Sequence, residues 1–66
     1  MKQDTTISEI IFITHIKKGI AIYGYWCNDA AYYATGEALK VGLNLDNDAD
    51  RLAYDNAVKF VLETIN

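Results

Sequence analysis

The sequence predicts an α+β fold: a small antiparallel sheet of three or four strands with one C-terminal amphipathic helix packed on one face. Three observations lead there. The last third of the chain carries apolar residues at helical spacing. Residues 7–26 hold two runs rich in isoleucine and aromatics, separated by Lys17-Lys18-Gly19. Leu39, Val41, Leu43 and Leu45 alternate with Lys40, Gly42 and Asn44. The competing arrangement is a β-hairpin followed by two helices.

Taken in order, 1–6 is polar and expected to fray. Ile7 to Ile16 reads as a strand, Lys17-Lys18-Gly19 as a turn, and Ile20 to Trp26 as the return strand. Both strands are apolar on both faces: Ile10, Phe12 and Ile16 alternate with Ile11 and Ile13, and Ile20, Ile22 and Trp26 with Ala21, Tyr23 and Tyr25. Such runs belong to a strand covered on two sides. Cys27-Asn28-Asp29 is a connection. In 30–45 the alternation favours a strand, with Thr35-Gly36-Glu37 as a turn or bulge. Ala30, Ala31, Ala34 and Ala38 favour a helix that Asn28 or Asp29 would cap and Gly42 would end.

The stretch from Asp46 to Asn66 reads as one helix. Asp46, Asn47, Asp48 and Asp50 supply acceptors and negative charge to its first turn. Tyr54, Ala57, Val58, Val61, Leu62 and Ile65 then follow at i, i+3, i+4, i+7, i+8 and i+11. Asp55 stands four residues before Lys59, a favourable surface spacing. At about 100° per residue the apolar arc spans about 220°, and a helix lying on one sheet needs an apolar stripe of little more than about 100°.

The 66 residues form one domain, 1–66, with a single cysteine, Cys27, so neither an internal disulfide nor a cysteine-built zinc cluster is available. A chain this short is marginal alone, which leaves oligomerisation as the source of extra burial. The formal net charge of −3 and pI near 4.7 disfavour binding to nucleic acid or anionic membrane. No apolar run of membrane-spanning length and no signal-peptide pattern is present, so a reduced, cytoplasmic setting is expected.

No catalytic, cofactor or metal motif stands out. Asp46-Asn47-Asp48-Ala49-Asp50 hints at a calcium loop, but the positions needing Gly and Glu hold Arg51 and Ala57, and a helix cap accounts for it. His15, the one histidine, has no ligand or triad partner nearby in sequence. Cys27 has only acidic Asp29 beside it, where a reactive thiolate needs a cation or a helix N-terminus, so it reads as a small filler. The glycines at 19, 24, 36 and 42 make no phosphate-binding loop.

The expected function is therefore non-enzymatic and rests on surfaces: an inhibitor or regulator of a larger macromolecular machine. Tyr23, Tyr25, Tyr54, Val58, Leu62 and Ile65 are interface candidates, because tyrosine and aliphatic side chains concentrate in buried contacts between chains. Asp46, Asp48, Asp50, Asp55 and Glu63 are candidates for docking a basic partner, such as a protein that handles nucleic acid. The expected partners are a second copy of the chain and that protein. In size, acidity and lack of proline the chain is similar to many phage-encoded inhibitors of host defence or transcription machinery, anti-CRISPR proteins among them; no motif carries the likeness. The alternative is a small single-stranded nucleic-acid-binding module that stacks bases on sheet-face aromatics, Tyr23 and Tyr25, beside Lys17 and Lys18.

Overall fold

The computed structural model describes residues 6–65, and they form three α-helices: α1 (Ile7–Tyr23), α2 (Asn28–Lys40) and α3 (Asp48–Ile65). Among the described residues there is no strand and no sheet. The fold is all-α, which corrects both the antiparallel sheet and the hairpin expected from the sequence.

Local chemistry fixes the ends of α1. Thr6 is its N-cap, and the Thr6 hydroxyl accepts from the Glu9 backbone N–H at 3.1 Å. Gly24 closes the helix in the left-handed region at φ 90°, where its N–H donates to the Ile20 carbonyl at 2.7 Å. The expected turn, Lys17-Lys18-Gly19, lies inside this helix. Gly19 serves packing there instead: a Cβ built on it would stand 2.9 Å from the Ala30 carbonyl oxygen, so only glycine lets α1 and α2 approach this closely. Fraying expected at 1–6 falls, for 1–5, outside the described residues.

The stretch 30–45, expected to be a strand, is mostly α2. Ala30, Ala34 and Ala38 recur every fourth residue and form its buried face. Val41 and Gly42 then stop the helix. The Gly42 N–H donates to the Leu39 carbonyl and the Leu43 N–H to the Ala38 carbonyl, with Gly42 at φ 96°. That is a Schellman ending. The alternation of Leu39, Val41, Leu43 and Leu45 therefore runs across a helix end and a loop: Leu39 and Val41 are exposed, and Leu43 and Leu45 fold onto the core.

α3 is the helix the sequence indicates. The Asn47 side chain caps it, accepting from the N–H groups of Ala49 at 2.9 Å and Asp50 at 3.3 Å. The preceding loop is tied down by polar side chains: Asn44 accepts from the Asp46 N–H, and Asp50 accepts from the Asn44 N–H. Ala53, Ala57 and Val61 face inward. Asp55 and Lys59 form no ion pair among the described residues, where Lys40 and Glu37 make one at 3.1 Å.

α1 lies between the other two helices and packs on both, while no Cα of α2 comes within 8 Å of α3. Phe12, Ile16 and Val61 are the largest fully buried side chains, and Trp26, Leu43 and Leu45 close over them. Phe12 meets Tyr54 edge to face, ring centroids 5.4 Å apart and planes at 71°. The result is a splayed plate whose Cα trace measures 33 × 27 × 14 Å.

This packing makes three variants informative. Val61→Asp should abolish the cooperative thermal transition, because an unpaired buried charge costs several kcal/mol against a total stability of roughly 3–10 kcal/mol for a chain of this length. Asp55→Ala, on the exposed face, should change stability by less than about 0.5 kcal/mol. Gly19→Ala should destabilise by about 1–3 kcal/mol in urea titration, despite alanine's better helix propensity, because the Ala30 backbone cannot give way as a flexible side chain would.

Candidate interaction surface

The described residues gather no group of three or more His, Cys, Asp or Glu side chains that could hold a metal ion. Cys27 stands at the N-cap of α2, half-buried and without a capping hydrogen bond from its side chain, and not in the strand-end position expected for it. His15 lies on α1, half-buried, and its Nδ1 is shielded from solvent without a hydrogen-bond partner. No helix of the described residues is long and apolar enough to cross a membrane.

The sequence's six interface candidates do not form one patch. Tyr54 and Val58 pack against the core, and Leu62 is half-buried beside them on α3. Tyr23 closes the C-terminal end of α1 and Tyr25 stands in the bend after it, both exposed. The side chain of Ile65 lies outside the described residues. The described residues form no sheet, so they provide no sheet-face platform for base stacking on Tyr23 and Tyr25. The acidic candidates also divide: Asp46, Asp48, Asp55 and Glu63 are exposed, but Asp50 is half-buried and spent on the Asn44 N–H.

A further stretch of apolar surface reaches solvent on α1. On α1, Ile7, Ile10, Thr14, Lys17, Lys18, Ala21 and Ile22 occupy a sector of about 140° opposite Phe12, Ile16 and Gly19. Three isoleucines stand open there: Ile7 is 76%, Ile10 51% and Ile22 58% exposed. Ile10 also borders a groove of about 610 Å³ between α1 and α3, lined by Ile13 and Phe60, with Glu9, Asn56, Lys59 and Glu63 at its rim. Phe60 is 51% exposed. Glu63 is thus an acidic candidate that borders this groove. Sequence reasoning missed this groove because it assigned the two halves of its lining to different kinds of element. The Thr6-Ile7-Ser8-Glu9 pattern, a capping box ahead of an apolar run, was the signal that could have revealed α1.

In comparison with known proteins, no family model matches the chain, and no curated protein or solved structure does so either.

One titration reports on the packing. Burial raises the Tyr54 phenol above its ordinary pKa of 10.0; Asp55 adds to the rise and Arg51 opposes it. The folded chain therefore holds this proton more tightly than the unfolded chain. Its contribution is complete below pH 10 and is lost as pH rises above that value. Chemical denaturation between pH 8 and 11.5 should show stability falling above about pH 10, with a shallower fall in Tyr54→Phe.

Proposed function

We propose that the chain is a small non-enzymatic docking protein that inhibits or regulates a larger macromolecular assembly by occupying part of its surface, and that it self-associates as a homodimer in a reducing, cytoplasmic setting. One observation carries this reading: an open apolar groove, Ile10, Ile13 and Phe60, between two carboxylates, Glu9 and Glu63, and one ammonium, Lys59. A solvent-facing apolar trough of this kind is a cost to an isolated chain and a contact to a bound one. An amphipathic helix of a protein partner fits it, its apolar residues on the groove floor and its basic residues toward Glu9 and Glu63. A protein that handles nucleic acid would present such basic flanks. The phage-type inhibitors resembled in composition work by similar occupation of a partner's surface.

The test uses a designed helical peptide of leucine and lysine as probe, with random single-stranded DNA and RNA in parallel. The peptide should bind, bind more weakly as salt rises, and lose at least about tenfold in affinity to Ile10→Asp, because a charge then lies on the groove floor. Affinity unchanged between low and high salt would remove the role given to the carboxylates. Salt-sensitive binding of the nucleic acids in place of the peptide would overturn the reading.

A further inference from the structure

The exposed face of α2 contains a glycine that the fold of a single chain does not need. Gly36 is in mid-helix with helical backbone, and a Cβ built on it meets nothing within 4 Å, in contrast to Gly19. A mid-helix glycine costs about 1 kcal/mol relative to alanine. On the same face lie Asp29 and Lys40, both exposed, and Tyr33, which is half-buried. These four residues are spaced 4, 3 and 4 apart, within a sector of about 60° that points about 130° away from the buried alanines. The spacing is that of a coiled-coil seam. It reads as its own complement when reversed: an acid at one end, a base at the other, and one large and one absent side chain between.

We infer that α2 is the self-association element of the chain. Two copies pair antiparallel about a twofold axis between residues 34 and 35. Asp29 of each copy then meets Lys40 of the other, and Tyr33 of each lies over Gly36 of the other. This deepens the homodimer reading above by naming its surface, and it rests on that reading. Asp29 and Lys40 are both exposed, and among the described residues the Lys40 side chain, 73% exposed, pairs with Glu37 on its own helix. A trough of about 290 Å³ runs along this face, lined by Tyr33, Gly36 and Lys40 with Tyr23, Tyr32 and Glu37 beside them, and it offers room for the ring of the second copy. A parallel pairing would place like charges together and both tyrosines in one layer. A second copy therefore fits this face in one orientation, as a twofold contact requires. The seam is one short helix, so the dimer is of the weak, concentration-dependent kind.

Sedimentation equilibrium over a wide concentration range tests the pairing, with far-UV circular dichroism confirming that each variant keeps its helices. Asp29→Lys and Lys40→Asp should each weaken self-association by about tenfold or more, because each sets like charges face to face. The double variant, which restores opposite charges, should recover it. Gly36→Ala should raise the melting temperature of the monomer yet weaken association, a divergence that a purely structural glycine would not produce. A chain that stays monomeric at every concentration overturns the pairing together with the homodimer reading. Association that both single charge variants leave unchanged overturns the pairing alone.

Discussion

The structure depends on α1 being covered from two directions. It is apolar around most of its circumference, and neither flanking helix approaches the other closely enough to pack without it. α2 presents alanines to it and α3 presents Ala53, Ala57 and Val61, so the side chains that fill the core, Phe12 and Ile16, come from the middle element. The close approach at Gly19 and Ala30 sets the distance between α1 and α2. Isolated helices of 13 to 18 residues are marginal in water, so α2 and α3 owe their order to the same contact surface.

The same constraint explains why the C-terminal helix was legible and the first half of the chain was not. In α3 a polar sector marks the solvent face, Asn47 marks the start, and the apolar positions recur at three and four. In α1 no polar sector interrupts the isoleucines, so periodicity carried no information about helix or strand. The inference that this segment is covered on two sides described its surroundings, but the covers are helices and the segment is one too. β-branched residues then weighted the choice toward a sheet, and tertiary burial overrode that preference. A glycine needed for close approach and one needed for positive φ look alike in a sequence, which is why Lys17-Lys18-Gly19 reads as a turn there. In 30–45 the alternation of Leu39 to Leu45 imitated a strand while spanning a helix terminus and a loop.

The scatter of the interface candidates has a related cause. The apolar arc of α3 looks too wide for one neighbour, but Tyr54 and Val58 on it pack against the chain's own core, Tyr54 edge to face with Phe12. Much of the surplus apolar surface sits on the outward face of α1, with Ile7, Ile10 and Ile22 open to solvent. What was legible was that surface and chemistry are unbalanced in this chain. Where the imbalance lay depended on knowing the element type.

The two surfaces proposed for binding are chemically and spatially distinct, and this has a functional consequence. The groove is built by α1 and α3 with Ile10, Ile13 and Phe60, and the seam belongs to α2 with Tyr33 and Gly36; they share no residue. Pairing through α2 therefore leaves the groove free on both copies, and a dimer carries two of them. Each groove is small and open, so a single engagement would be weak. Two joined grooves convert the second engagement into an intramolecular event, which raises affinity for an assembly that displays its docking helix more than once without any further contact. For a chain of 66 residues, that is a route to tight binding which does not require a larger core.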